Sequence, residues 1–140
     1  MRKLLVPFDG SACALRALQY AITMVKEGFA GDLELLHVGD PVPLGVHGMM
    51  THDQIQQREA DEAGRVLKPA RDVLDQAGIS YQCRLRIGTA ATEIVRHAQE
   101  CACAGIVMGS RGMGPVAGLM VGSVATRVIS SAEVPVTVVK

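Results

Sequence analysis

A glycine-rich segment in the last third of the sequence has the spacing of an anion-binding loop. It reads GSRGMGPVAGLMVGS from Gly109 to Ser123, and six of the fifteen glycines of the chain lie between Gly105 and Gly122. Glycine permits positive φ and lets other groups approach the main chain closely. A helix that begins at the end of such a loop adds unpaired N–H groups and the positive end of its dipole. The pattern therefore predicts a phosphate-binding site.

Two common phosphate motifs are absent from the sequence. The P-loop requires a lysine before its Ser or Thr, and Gly122-Ser123 has none. A dinucleotide fingerprint would directly follow the first strand, where Gly10 stands alone. The pattern that does fit is Gly-x2-Gly-x9-Gly-Ser, formed by Gly109, Gly112, Gly122 and Ser123.

Few charged side chains accompany this loop. Arg111 and Arg127 are the cations near it in sequence, and Arg111 suits either a phosphate contact or a solvated loop position. Backbone amides, with Mg²⁺ bridging the phosphates, would have to supply most of the binding, so we expect moderate affinity. Asp9, after the first strand, could accept hydrogen bonds from an adenine amino group or from ribose hydroxyls. It could equally be a simple turn residue.

Other residues with possible chemistry give weaker signals. If Cys101 and Cys103 lay on one helix, they would point about 200° away from each other and could not chelate together. If the helix has ended before Cys103, the pair still lacks further ligands in the sequence. We expect them to be buried or inert thiols, like Cys13 and Cys83. The segment from His47 to His52 suggests either a soft-metal site, with Met49 and Met50, or a lid loop that contains these residues by chance; we favour the loop.

No catalytic residue is predicted. His37 and His97 have no obvious carboxylate or nucleophile partner in the sequence, and no Ser-His-Asp arrangement is present. Any hydrolysis of a bound nucleotide would therefore be slow, because phosphates would be positioned without a general base.

Composition limits the class of protein. At 140 residues the chain fits one domain, 1–140, with a core of ordinary size. Fourteen basic and fourteen acidic residues balance, and aromatic residues make up 3 % with no Trp, which argues against nucleic acid as a partner. No apolar run approaches the length of a membrane span, and the apolar start is too short for a signal peptide. We expect a cytoplasmic protein with reduced thiols.

The hydrophobic pattern predicts an α/β fold in which five strands alternate with four helices. The predicted strands are 3–8, 32–38, 81–87, 105–108 and 134–139, and the predicted helices are 11–28, 52–78, 89–101 and 123–131. Ser11 and Ser123 are the predicted capping residues of the first and last helices. Such alternation is typical of an open, doubly wound parallel sheet with helices on both faces. Ligands bind such sheets beyond the carboxyl ends of the strands, where the winding reverses. Asp9 and Gly109 fall at the ends of the first and fourth strands.

Three features leave alternatives open. Pro69 lies inside the second predicted helix and predicts either a kink or two abutting helices. Pro115 stiffens the glycine-rich segment. The loop 40–51 could cover or obstruct a ligand site at the same end of the sheet.

Several motifs together resemble the universal stress protein family, specifically its ATP-binding branch. The glycine pattern is accompanied by VPFDGS from Val6 to Ser11, by His37-Val38, by VMGSRG from Val107 to Gly112 and by VPV from Val134 to Val136. The resemblance covers nearly the whole chain. It implies a Rossmann-like sheet of order 3-2-1-4-5, a homodimer, and ATP with Mg²⁺ held through the phosphates rather than by protein ligands.

The resemblance also implies roles for matching residues. Pro7, Asp9 and Val38 would line the adenine and ribose end. Met108, Gly109 and Gly112 would hold the ribose and the first phosphates, with Arg111 nearby. The remaining phosphates would lie against Gly122, Ser123 and Val124.

Three functions are consistent with these residues. The first is a cytoplasmic ATP-binding protein of the stress response, in which the nucleotide regulates conformation or partners. The second is an enzyme of nucleotide cleavage or nucleotidyl transfer that uses the same cleft. The third is a nucleotide-free dimeric interaction protein. For the dimer, an apolar strand at the sheet edge predicts an interface at Val134, Val136 and Val138.

Overall fold

Five parallel strands form one sheet in the computed structural model, which describes residues 2–112 and 121–140. The strands are β1 (Lys3–Pro7), β2 (Asp32–Gly39), β3 (Tyr81–Ile87), β4 (Gly105–Gly109) and β5 (Val136–Val139). Their order is β3-β2-β1-β4-β5, and every neighbouring pair is parallel. The predicted fold class and strand order are confirmed.

The described residues form five helices. They are α1 (Ala12–Lys26), α2 (Leu44–His47), α3 (His52–Ala77), α4 (Ala90–Glu100) and α5 (Ser123–Ser131). Four of them match the predicted helices. The single turn of α2 lies in the predicted loop 40–51 and was missed, because four residues without a buried side chain carry no apolar periodicity.

Two hydrophobic cores lie on opposite faces of the sheet. Leu18 of α1 and Leu74 of α3 pack with Leu35 on one face. On the other face, Leu36 packs with side chains of α4 and α5, among them Val128. Adjacent residues of β2 thus enter different cores, as expected of a strand covered on both sides. Within the described residues, every helix is too short or too polar to cross a bilayer.

The helix α3 runs without interruption across Pro69, so the alternative of two abutting helices is wrong. Thr51 begins α3 with a capping box, exchanging hydrogen bonds with Gln54. Gly78 ends it in the left-handed conformation, with φ of 69°. Pro69 itself is exposed, so the helix continues with the proline ring on its solvent side while Ala70 beside it stays buried.

Two predicted boundaries near the C-terminal strand shift. Gly122, rather than Ser123, is the N-cap of α5, and Ser123 is the first helical residue. The strand β5 begins at Val136, which leaves Val134 outside it. The main chain there still contacts β4, because Pro135 accepts a hydrogen bond from the Ile106 amide at 2.9 Å. Pro115, singled out from the sequence, lies outside the described residues.

Candidate functional site

A cleft of about 570 Å³ opens at the carboxyl ends of β1 and β4. This is the point at which the winding of the sheet reverses, since β1 lies between β2 and β4 in the strand order. The ten residues selected from the sequence all line it. They are Pro7, Asp9, Val38, Met108, Gly109, Arg111, Gly112, Gly122, Ser123 and Val124.

One wall of the cleft is apolar. It combines Leu36 and Val38 of β2 and Met108 of β4 with Ala90 and Ile94 of α4. The two α4 residues were not predicted as part of the site. Periodicity shows that they point toward the sheet, but only the crossover from β3 to β4 determines that they also reach the cleft. A wall of this kind suits the flat face of an aromatic ring.

Asp9 holds a defined orientation at the end of β1. Its Oδ1 accepts a hydrogen bond from the Ser11 amide at 2.9 Å, which is the turn contact expected of an aspartate there. Its Oδ2 points toward Gly112, and a Cβ built on that glycine would lie 3.0 Å from this oxygen. One carboxylate oxygen thus stabilises the turn, while the other faces the start of the glycine-rich segment.

The motif glycines provide space rather than unusual backbone angles. Among the described glycines, positive φ is confined to Gly10, Gly28, Gly78 and Gly88, none of which belongs to the motif. Gly109 is closely packed against the start of α1. A Cβ there would lie 2.8 Å from the Cβ of Cys13 and 2.9 Å from its carbonyl carbon.

Ser110 joins the two ends of the loop, and sequence reasoning missed it. Its side chain is buried, its amide donates to the Val139 carbonyl at 2.7 Å, and its carbonyl accepts from the Gly122 amide at 2.6 Å. These bonds connect β4, β5 and the beginning of α5. A small polar residue directly after Gly109 was the only signal available in the sequence.

The thiol of Cys13 lies beneath this junction. Burial opposes its ionisation, but the Ser110 hydroxyl, the Arg111 amide and the charge of Arg16 together lower the pKa of Cys13. Arg16 Nη2 donates to the sulfur at 3.1 Å. Cys13 is buried, as predicted, and it is not among the residues that line the cleft.

Charge within the cleft is sparse. Among the described residues that line it, Asp9 and Arg111 are the only ones that carry a charge, and their charges cancel. Neither His37 nor His97 lines it. Asp9 is therefore the one side chain of the described lining that could act as a base. The N-terminus of α5, a nine-residue helix, contributes Ser123 and first-turn backbone amides that have no acceptor within the helix.

The cysteines after α4 belong to a different cluster. The helix ends at Glu100 and Ala102 adopts a φ of 52°, so the helical argument that separated Cys101 from Cys103 does not apply. Cys101 Sγ lies 3.9 Å from His97 Nδ1, and Cys103 Sγ lies 3.9 Å from Glu34 Oε2. Burial raises the pKa of Cys103 to about 11, with a further contribution from the Glu34 carboxylate.

His97 has a carboxylate partner, contrary to expectation. Its Nε2 lies 2.7 Å from Glu34 Oε2, and both residues are buried. Arg86 Nε donates to His97 Nδ1 at 2.7 Å and also pairs with Glu93 and Glu100. A guanidinium thus occupies the position from which a metal ion would approach Nδ1. Although Glu34, His97 and Cys101 lie close enough to share an ion, this cluster is an internal ion-pair network.

The segment that suggested a soft metal is exposed. His47 ends α2 and His52 begins α3, and both side chains face solvent. Within the described residues, the loop 40–51 contributes no side chain to the lining of the cleft.

Comparison with known proteins finds relatives that match the whole chain. A family model described as "Universal stress protein family" matches residues 1–140. Universal stress protein MJ0531 of Methanocaldococcus jannaschii is 32% identical over 140 residues, covering 99% of this chain and 82% of the relative. Universal stress protein YxiE of Bacillus subtilis is 32% identical over 146 residues, covering 99% of this chain and 98% of the relative.

Solved structures share the fold. The structure of MJ0577, also from Methanocaldococcus jannaschii, superposes with a TM-score of 0.84 at 28% identity, covering 99% of this chain and 95% of that one. A universal stress protein in complex with cAMP gives a TM-score of 0.76 at 23% identity, with 99% and 97% covered. One from Archaeoglobus fulgidus in complex with dAMP gives 0.71 at 24% identity, with 100% and 98% covered. At these last two identities the likeness concerns the fold alone.

Proposed function

Because the chain belongs to the universal stress protein family, we propose that its cleft binds ATP together with Mg²⁺. On this proposal the protein is a cytoplasmic regulator of the stress response, and the bound nucleotide controls its conformation or its partners. One observation carries the proposal. Ten residues chosen from the sequence for a nucleotide converge on a single cleft at the reversal point of a parallel sheet.

The shape of the cleft suggests how ATP lies in it. The adenine ring packs against the apolar wall formed by Val38, Met108 and Ile94. The ribose and first phosphate lie over Gly109 and Gly112. The outer phosphates reach the N-terminus of α5, where unpaired amides and the helix dipole favour negative charge.

We propose binding without rapid turnover. Rapid phosphoryl transfer needs a group that orients or deprotonates the attacking nucleophile. Asp9 is the one candidate in the described lining, and its Oδ1 already accepts the Ser11 amide. The cAMP and dAMP complexes show that other proteins of this fold accommodate adenine nucleotides; support in this chain comes from its own cleft.

The proposal is tested by identifying the small molecules released from freshly purified protein by mass spectrometry, followed by ATP titration calorimetry with Mg²⁺. We expect saturable binding of moderate affinity. Val38→Asp places a carboxylate on the apolar wall and should weaken binding by at least about tenfold. Leu44→Asp, on the exposed turn of α2, is the matched control and should bind like the parent chain.

The other two functions predict different outcomes of the same experiment. Phosphate release that continues over many turnovers with Mg²⁺ would support an enzyme. A folded protein that releases no nucleotide, gives no heat with ATP and shows no ATP-dependent shift in melting temperature would support the nucleotide-free interaction protein.

We also propose that two copies associate through β5. This strand pairs only with β4 within the described residues, which leaves one side of its backbone at the sheet edge. Its valines are half-buried. Val134 and Val136 both pack against the core beside α4 and α5. Val138 and the strand backbone are therefore the centre of the proposed contact, and Val134, which precedes the strand, lies at its border. Pairing across a two-fold axis would satisfy the free edge.

A further inference from the structure

We propose that Asp9 is a protein ligand for the divalent cation of the bound nucleotide, directly or through one water, by way of its Oδ2. The proposal rests on the nucleotide site described above and changes one expectation about it. The resemblance placed Asp9 at the adenine and ribose end and left the cation to the phosphates alone. The geometry of Asp9 points instead to the place where the ribose meets the first phosphate.

The first observation is that the Asp9 carboxylate is held in place with one oxygen uncommitted. Oδ1 accepts the Ser11 amide at 2.9 Å, which fixes the short side chain. Within residues 2–112 and 121–140, Oδ2 has neither a hydrogen-bond donor nor a cationic partner. Asp9 lines the cleft and is exposed. A preoriented carboxylate oxygen is the ligand type that Mg²⁺ takes from proteins.

The second observation concerns where this oxygen lies. It faces the Cα of Gly112, close enough that a Cβ there would be only 3.0 Å away. On the proposed function, the ribose and the first phosphate lie over Gly109 and Gly112. The carboxylate therefore stands beside the first phosphate as well as the ribose, and away from the base.

The third observation is the charge balance. Arg111 is the only cationic side chain in the described lining, and the sequence of residues 113–120, MGPVAGLM, contains no charged residue. A carboxylate next to a polyphosphate would repel it if nothing lay between them. A divalent cation between the two removes this repulsion and turns it into attraction. Because Gly112 has no side chain, space remains beside Asp9 Oδ2 for this cation.

The alternative role for Asp9, as a hydrogen-bond acceptor for ribose or adenine, predicts a different response to metal. An acceptor for the sugar or base contributes equally with and without Mg²⁺. A cation ligand contributes only with Mg²⁺, and without it the negative charge opposes binding. Removing the charge of Asp9 should therefore weaken ATP binding in the absence of Mg²⁺ if Asp9 is an acceptor, and strengthen it if Asp9 is a cation ligand.

The experiment compares Asp9→Asn with the parent chain by ATP titration calorimetry, at equal ionic strength, in EDTA and in Mg²⁺. Asparagine keeps the shape and an acceptor for the Ser11 amide. We expect Asp9→Asn to bind ATP more weakly than the parent in Mg²⁺, by about tenfold, and more tightly in EDTA, by a few-fold. Asp40→Asn, an exposed acid outside the cleft lining, is the matched control for net charge and should change neither affinity.

A second measurement reports on the cation itself. With Mn²⁺ and ATP, the electron paramagnetic resonance spectrum of bound Mn²⁺ should differ between the parent and Asp9→Asn, because one protein ligand or ordered water is lost. Equal weakening of ATP binding in EDTA and in Mg²⁺, with unchanged Mn²⁺ spectra, would overturn the proposal and assign Asp9 to the ribose or base. A parent chain that binds no ATP in either buffer would instead contradict the proposed function, and this inference with it.

Discussion

Two glycines of the loop motif are constrained by different neighbouring groups. Gly112 leaves room for the carboxylate of Asp9, whereas Gly109 leaves room for the backbone of α1. Gly109 therefore has a packing role whether or not a nucleotide binds, because no side chain fits between β4 and Cys13. The glycine spacing that indicates a ligand site thus includes one glycine that the fold itself requires for packing.

This packing role predicts the effect of Gly109→Ala. Its Cβ would lie within 3.0 Å of Cys13 and of the Ala14 nitrogen, and backbone atoms cannot rotate away. We expect the free energy of unfolding to fall by about 1–3 kcal/mol, measured by urea denaturation. Gly64→Ala is the matched control, because its Cβ would meet nothing within 4 Å. Gly64 is half-buried in the interior of α3, and its replacement by alanine should raise stability by about 0.5–1 kcal/mol because alanine is the better helix former. Equal stability of the two variants would contradict the packing role.

The buried thiol of Cys103 makes stability depend on alkaline pH. Its pKa is raised from 9.0 to about 11 in the folded protein, by burial and by the carboxylate of Glu34. Below pH 9 both the folded and unfolded forms keep the proton. As the pH rises from about 9 to 11 the unfolded chain releases it first, so the free energy of unfolding falls, by about 2–3 kcal/mol from this group.

Cys103→Ala isolates this effect. Cys83 and Tyr81 also have raised pKa values, that of Tyr81 to about 12, and both titrate in the parent and in the variant. The difference in unfolding free energy between the two proteins, measured by urea denaturation from pH 8 to 10.5, should therefore shrink as the pH rises. A difference that stays constant over this range would show that the folded thiol titrates normally.

At the scale of elements, the sequence was sufficient to predict a helix or a strand wherever the hydrophobic pattern within that segment determines it. Strands covered on both faces read as short apolar runs, and α1, α3, α4 and α5 show helical periodicity. The ends of α3 follow from Thr51 and Gly78, which cap it by side-chain and backbone rules that need no tertiary contact. The effect of Pro69 was not predictable in the same way, because packing of the buried side of α3 holds the helix together across it.

Contacts between distant elements were the part that the sequence could not supply. Glu34 of β2 and His97 of α4 are 63 positions apart, and only the sheet topology brings them within 2.7 Å. The same holds for Ile94, which reaches the cleft because the crossover from β3 to β4 packs α4 against β2. The family resemblance supplied the ten lining residues. Those at the ends of β1, β2 and β4 lie together because a parallel sheet gathers the carboxyl ends of its strands at one edge.

At the scale of the whole molecule, the two edges of the sheet differ in how they are protected. The β3 edge carries Arg84, which pairs with buried Glu34, and Arg86, which pairs with carboxylates of α4. Charged side chains on an edge strand oppose pairing with another chain. The β5 strand carries VTVV and no charge. Association between copies is therefore expected at β5 and not at β3.

Val138→Lys tests this assignment of the dimer edge. A lysine in the middle of β5 adds a charge next to its own copy across a two-fold axis, and it should shift the protein from dimer to monomer in sedimentation velocity. Leu85→Lys, on the partly exposed β3 edge, is the matched control and should leave the dimer intact.

Val138 is half-buried and pairs in register with Met108 of the cleft. The monomeric variant is therefore also tested for folding by circular dichroism and for nucleotide binding by ATP titration. A folded monomer that still binds ATP would separate association from the nucleotide site. A dimer that survives Val138→Lys but dissociates with Leu85→Lys would place the interface at the opposite edge.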